Sequence, residues 1–284
     1  MSTYRALVSQ YKKECVKWDV PSETVKVYLL EICQREGINL YMDYEEEVPE
    51  AIEKEFRAGM VRILKHEPMQ HVLGYSWFYG YKMLVREEVL IPRVETEELC
   101  AYVLGEMDSV FADYSEIVTA DVGTGSAAIA ITLAKEEPKV KMMASDISTT
   151  ALEVAKKNAE LNEANIEFFC GDMAQPLIDA GKQLDVLVCN PPYIPSDEEL
   201  EDSVKDFEPH VALFGGSDGL KFYRVVFEQC RALMKPVSFM AFEMGWNQGK
   251  AMSALVEEML PGCRYEIRKD MNGKDRMLFV YFNC

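Results

Sequence analysis

This 284-residue chain predicts an α/β fold with a mainly parallel sheet, preceded by a small helical region. Three observations carry that prediction. From Glu116 onward, short apolar stretches of strand type alternate with helix-period stretches, the pattern of repeated βαβ units. Before His66 only helical periodicity occurs. Between these regions, residues 75–85 switch to short strand-like runs around a glycine.

Taken in order, Tyr4, Leu7, Val8 and Tyr11 fall on one helical face, as do Val25, Tyr28, Leu29 and Ile32, with Gly37 as a stop. The acidic run Asp43 to Glu47 connects to a third helical pattern, Ile52, Phe56, Met60, Ile63 and Leu64, which ends before Pro68. These helices form either a bundle of their own or a decoration on one larger domain; the division adopted is a helical N-terminal domain over 1–73. Tyr75 to Tyr79, Gly80 and Tyr81 to Val85 then predict a linking β-hairpin within 74–91. A helix follows over Glu95–Leu104, opening a domain over 92–284. Its strands are expected at Ile117–Val122, Val140–Asp146, Ile166–Cys170, Leu184–Cys189, Val237–Glu243, Tyr265–Lys269 and Met277–Phe282. Its further helices are expected at Ala127–Lys135, Thr150–Leu161, Leu220–Met234 and Gln248–Leu260. Only Asp270 to Lys274 separates the last two strands, too little for a crossover helix, so they pair antiparallel at the sheet's edge.

Composition narrows the function. No apolar stretch reaches the roughly 20 residues that cross a bilayer. The opening carries Lys12, Lys13, Glu14 and Lys17 where a signal peptide would be apolar, which predicts a cytoplasmic protein. Eight cysteines are scattered without a C-x-x-C pair, so reduced thiols are expected. The three histidines lack ligand spacing, and no metal is expected. With 30 basic against 48 acidic residues, a net charge of −18, the chain is a poor general binder of nucleic acid; a basic protein partner fits its field better.

Motifs then gather at predicted strand ends. Asp121-Val122-Gly123-Thr124-Gly125-Ser126-Ala127 follows the first sheet strand. Its glycines let the backbone approach a ligand, yet it is neither a complete G-x-G-x-x-G fingerprint nor a phosphate loop with a lysine. Such a turn suits a nucleoside bearing an amino acid, whose ammonium Asp121 can meet. The alternative is tight packing alone. Asp146 ends the next strand, about 20 residues on, where a carboxylate can accept ribose hydroxyls or pair with the N-terminus of the following helix. Gly171-Asp172-Met173 ends the third and can flank an adenine, although Met173 also suits a core. Asn190-Pro191-Pro192-Tyr193 ends the fourth. Two prolines stiffen it, the Asn190 oxygen and the Pro191 carbonyl can accept both bonds of an NH2 group, and Tyr193 can pack on that group's face. In an open α/β sheet, ligands bind at this edge.

With these motifs the chain resembles the S-adenosylmethionine-dependent methyltransferases, specifically the HemK/PrmC-like family that methylates the N5 of a glutamine in peptide chain release factors. The resemblance extends to Glu67-Pro68-Met69-Gln70-His71-Val72-Leu73-Gly74, Leu90-Ile91-Pro92-Arg93-Val94-Glu95-Thr96-Glu97, Phe207-Glu208-Pro209, Ala212-Leu213, Gly215-Gly216-Ser217-Asp218-Gly219 and Glu243-Met244-Gly245. It implies a Rossmann-like, seven-stranded methyltransferase sheet with an antiparallel final hairpin, and an N-terminal domain that docks the substrate. It implies S-adenosyl-L-methionine as cofactor, contacted by Gly123, Thr124, Gly125, Ser126, Ala127, Asp146, Met173 and Asn190. Asn190 to Tyr193 would grip the glutamine amide, with Asn190, Pro191 and Tyr193 as the catalytic group. Release factors are the implied partner, in translation termination, and a monomer is expected. Ala127 stands where the family usually has glycine, and Met173 where an aromatic is common. Arg93 and Glu97 are expected to support the pocket or the hairpin; Glu243 is left between structural pairing and a role in the site. The alternative is an adenine-amino (N6) methyltransferase acting on nucleic acid, which uses the same grip.

Overall fold

The computed structural model describes residues 2–198 and 206–283. The chain divides into two compact units, one running to Gly74 and one beginning at Tyr75.

The first unit holds helices α1 (Tyr4–Lys17), α2 (Glu23–Arg35), α3 (Glu50–Ile63) and the short α4 (Met69–Leu73). Thr3 caps α1 by accepting from the N–H of Ala6. The expected apolar faces meet in one core, where the Phe56 ring stacks on Tyr28 and takes an edge contact from Tyr11. Gly59 permits that arrangement: a Cβ there would lie 1.9 Å from the Tyr28 hydroxyl oxygen. The acidic connection is held against the start of α1, because the N–H of Arg5 donates to the carbonyl of Tyr44 at 3.0 Å and Arg5 pairs with Glu45. Five residues are too few to display a helical period, which is why α4 has no counterpart in the sequence reading.

The second unit opens with β1 (Tyr75–Phe78) and β2 (Tyr81–Leu84), an antiparallel hairpin. Its turn residues Tyr79 and Gly80 both have positive φ, 51° and 82°, as a two-residue hairpin turn requires. The order continues α5 (Val94–Val110), β3 (Ile117–Val122), α6 (Ala128–Glu136), β4 (Val140–Asp146), α7 (Thr149–Leu161), β5 (Ile166–Cys170), α8 (Gln175–Asp179) and β6 (Leu184–Cys189). A 3₁₀ turn at His210–Ala212 precedes α9 (Lys221–Leu233), β7 (Met234–Glu243), α10 (Gly249–Met259), β8 (Arg264–Lys269) and β9 (Asp275–Phe282). The seven-stranded sheet has the order β5-β4-β3-β6-β7-β9-β8. The strands β3 to β7 run parallel, and β9 enters antiparallel between β7 and β8. One face packs on α5, α6 and α7, the other on α8, α9 and α10.

All seven predicted sheet strands form, the first four with the expected bounds and the last three with earlier starts. Helix α5 runs past Gly105 to Val110 because Met107 keeps its face buried. Met234, expected in a helix, is instead the first residue of β7, which follows α9 without a loop. Pro236 is accommodated where the β6–β7 register shifts between Leu184 and Val186.

Candidate active site

The carboxyl edge of the parallel strands collects the predicted motifs. After β3 the chain turns through Gly123 (φ 74°) and Gly125 (φ 53°), and Ala127 is itself left-handed at φ 65°. That backbone explains why glycine suits position 127. The N–H groups of Gly123 and Thr124 both donate to the carbonyl of Ser145 at 2.9 Å. Asp146, ending β4, accepts from the N–H of Gly125 at 2.9 Å and of Ser148 at 2.8 Å, so one carboxylate ties the glycine turn to the start of α7. Ser148, not Asp146, supplies the helix cap, accepting from Ala151. Burial raises the Asp146 carboxyl, against the pull of those N–H donors.

Asp121 lies at the end of β3, beneath the glycine turn. It is buried, accepts the Thr124 hydroxyl at 2.5 Å and does not line the cavity. It therefore braces the turn through Thr124. Burial pushes its carboxyl up to about 7.

Asn190 follows the fully buried β6. Its side-chain Nδ2 donates to the Thr96 hydroxyl at 3.2 Å, and Thr96 donates to Glu243 Oε2 at 2.6 Å. Tyr193 donates its hydroxyl to Glu243 Oε1 at 3.3 Å. Burial raises the Glu243 carboxyl, while Thr96, Arg276 and Tyr193 favour its charged form. Gln248 fixes the motif from outside by donating to the Tyr193 carbonyl at 3.0 Å. The Gly215–Gly219 loop lies directly on it: a Cβ on Gly215 would come within 2.5 Å of the Pro192 carbonyl oxygen, and one on Gly219 within 2.3 Å of that of Tyr193.

These strand ends line a cavity of about 340 Å³. Of the predicted residues, Gly123, Thr124, Gly125, Ser126, Asp146, Asp172, Met173, Asn190 and Pro192 line it. Asp121, Ala127, Pro191 and Tyr193 are not among its lining residues, and the Tyr193 hydroxyl donates to Glu243. Among the described residues, no group of three or more His, Cys, Asp or Glu side chains is placed to hold a metal ion. No helix among them is long and apolar enough to cross a membrane.

Two family models match the chain, a methyltransferase small domain over residues 107–207 and a PrmC N-terminal domain over residues 16–74. A release factor glutamine methyltransferase of Bacillus cereus is 40% identical over 284 residues, covering 99% of each chain. The chain belongs to the release factor glutamine methyltransferase family. The Bacillus subtilis enzyme of that name is 45% identical over 213 residues, 74% of each chain. A methyltransferase from Pyrococcus furiosus shares the fold at a TM-score of 0.52 and 18% identity, over 78% of this chain and 96% of that one. The N-terminal domain of human METTL16, in a structure with SAH, gives 0.51 at 20% identity, over 72% and 76%.

The methyltransferase's remaining motifs meet in pairs. Glu208 accepts from the N–H of Ile91 at 3.2 Å and pairs with the Arg93 guanidinium, joining F-E-P to L-I-P-R at the cavity rim. Glu97 accepts from the N–H of Tyr79 at 2.8 Å and so supports the hairpin turn. Four positioning residues escaped the sequence reading. Thr96 and Glu208 lie inside segments that carry the family resemblance, their only signal in the sequence. Gln248 had none. Neither had Asn158, buried on α7, which accepts from the Leu84 N–H at 2.7 Å and donates to the carbonyls of Leu84 and Ser126 at 3.0 and 2.9 Å. It links the hairpin to the glycine turn.

Proposed function

We propose that this enzyme transfers the methyl group of S-adenosylmethionine to the side-chain amide nitrogen, N5, of a glutamine in peptide chain release factors. The observation that carries the reading is the direction of the Asn190 carboxamide. One N–H of its NH2 group is directed at Thr96, which turns that end of the amide toward α5 and leaves Oδ1, an acceptor suited to an N–H donor, with no partner among the described residues.

The cavity fits the methyl donor. Its volume lies in the range for small ligands, its backbone turn admits close approach, Asp146 and Asp172 set negative charge in a lining that also holds Ile147, Met173 and Val225. When bound, S-adenosylmethionine supplies an electrophilic methyl group on a sulfonium. The chain's own part is positioning and electrostatics. An amide nitrogen is a weak nucleophile because its lone pair is delocalised into the carbonyl. An acceptor at Asn190 Oδ1 holds the NH2 group and stabilises the positive charge that grows on nitrogen during attack. A methylated amide cation is strongly acidic, so no residue has to act as a dedicated base. To Asp146 we assign the ribose hydroxyls, and to Asp172 and Met173 the base; all three line the cavity.

The same grip suits an adenine amino group. The net charge of −18 and the full-length likeness to release factor enzymes favour the protein substrate. The test incubates purified enzyme and labelled donor with release factor, DNA and RNA in parallel, then locates the label by mass spectrometry. Label on one release factor glutamine is expected; label in nucleic acid alone would overturn the reading.

The helical unit we assign to docking of the release factor. Removing residues 1–74 is expected to raise KM for release factor at least tenfold while changing the donor's Kd by about twofold or less. An unchanged kcat/KM would reject that assignment.

A further inference from the structure

We propose that Thr96 and Glu243 are a positioning pair that sets which end of the Asn190 carboxamide faces the substrate. The inference rests on the proposed role of Asn190 in gripping the glutamine amide.

The argument is one of proton direction. A carboxamide is nearly symmetric in shape, so packing alone scarcely distinguishes its oxygen from its NH2. Hydrogen-bond polarity does distinguish them. Ionised Glu243 can only accept, and among the described residues Thr96 donates to Oε2 and Tyr193 to Oε1. Glu243 is 2% exposed and Thr96, at 5%, meets solvent only where it borders the cavity. The Thr96 hydroxyl has a single proton, and it is committed to Glu243. Its lone pairs are what remain for Asn190. Only the NH2 end of the amide complements them, and that end is the one found there at 3.2 Å.

Turning the amide over would set Oδ1 against the Thr96 lone pairs, two acceptors facing each other in a part-buried contact, which proteins avoid. It would also present NH2 to the substrate's NH2. The groups that bear on the Glu243 charge are Arg276, which favours ionisation, and Glu95, which opposes it. Tyr223 holds the backbone by donating to the Glu243 carbonyl at 2.7 Å, so the carboxylate has a fixed origin. The relay thus runs from the end of β7 through the first turn of α5 to the end of β6. It makes the site accept an N–H donor and refuse a carboxylate in the glutamine's place.

The test is a mutant cycle in full-length enzyme, read by single-turnover methylation of release factor and by calorimetry of donor binding. Thr96→Val keeps the shape and removes the hydroxyl; it should lower kcat/KM roughly 100-fold. Thr96→Ser restores the hydroxyl and should stay within about threefold of wild type. Donor Kd should move by less than about twofold in both, which also reports folding. If Thr96→Val fails to bind donor, Thr96→Ala carries the same expectation. On an Asn190→Asp background, Thr96→Val should add less than about twofold, because a carboxylate has no NH2 end to orient. Equal losses on both backgrounds would assign Thr96 a merely structural role and overturn the proposal. So would wild-type rates in Thr96→Val while the unaltered enzyme methylates release factor. An unaltered enzyme that leaves release factor unmodified would instead refute the proposed function, and the relay with it.

Discussion

Glu208 and Arg93, 115 residues apart in the chain, form an ion pair in which the carboxylate side chain is 1% exposed and the guanidinium 37%. The second carboxylate oxygen takes the N–H of Ile91, so a single side chain fixes the backbone and the cation on one rim of the cavity.

Glu208→Ala leaves the Ile91 N–H without its partner and releases Arg93. Unfolding free energy is expected to fall by roughly 2–3 kcal/mol. Donor affinity should weaken as the rim loosens. Chemical denaturation and calorimetry measure the two effects, and a variant as stable as wild type would remove Glu208 from this role.

Asn190→Ala removes the acceptor while leaving the glycine turn and Asp146 in place. We expect turnover to drop by at least about 1000-fold, with donor Kd within about fivefold of wild type. Single-turnover rates on release factor decide it; near-normal transfer would dismiss Asn190 from the chemistry.

Asn158→Ala strips partners from three backbone groups at once, the N–H and carbonyl of Leu84 and the carbonyl of Ser126. The expected cost is roughly 2–4 kcal/mol, and donor binding should weaken because Ser126 belongs to the glycine turn. Hydrogen exchange at Leu84 provides a local check: protection there should collapse before protection in β3 does.

Asp121 gives a pH prediction. Its carboxyl is raised from 3.8 to about 7 by burial, so folding favours the protonated form. That contribution is fully present below about pH 4 and is lost as pH climbs through about 7. Asp121→Asn cannot ionise yet still offers an oxygen to Thr124. Its stability relative to wild type should therefore improve between about pH 5 and pH 8, by on the order of 1–3 kcal/mol. Parallel denaturation series across that range test it, and a constant difference between the proteins would mean that Asp121 does not titrate there.

Legibility in the sequence followed the length scale of each feature. Strands such as Leu184–Cys189 announce themselves because an apolar run must be buried on both sides of a parallel sheet. The four strand-end motifs were legible for a related reason, since each follows its own strand directly in the chain. The helix past Gly105 and the early start of β7 were not, because packing at Met107 and a register shift beside Pro236 overrode local preferences.

By itself, the chain's order of apolar runs, glycines and acids determined a sheet edge with a nucleoside-type turn and an Asn-Pro-Pro-Tyr corner. Only folding decided what stands behind that edge. Asp121 and Tyr193 took Thr124 and Glu243 as partners, and Thr96, Glu243 and Asn158 arrived from 94, 53 and 32 residues away to orient the motifs at the edge. The reason is that hydrogen-bond direction among buried groups depends on partners distant in sequence, and a linear pattern carries no trace of which lone pair each proton will meet.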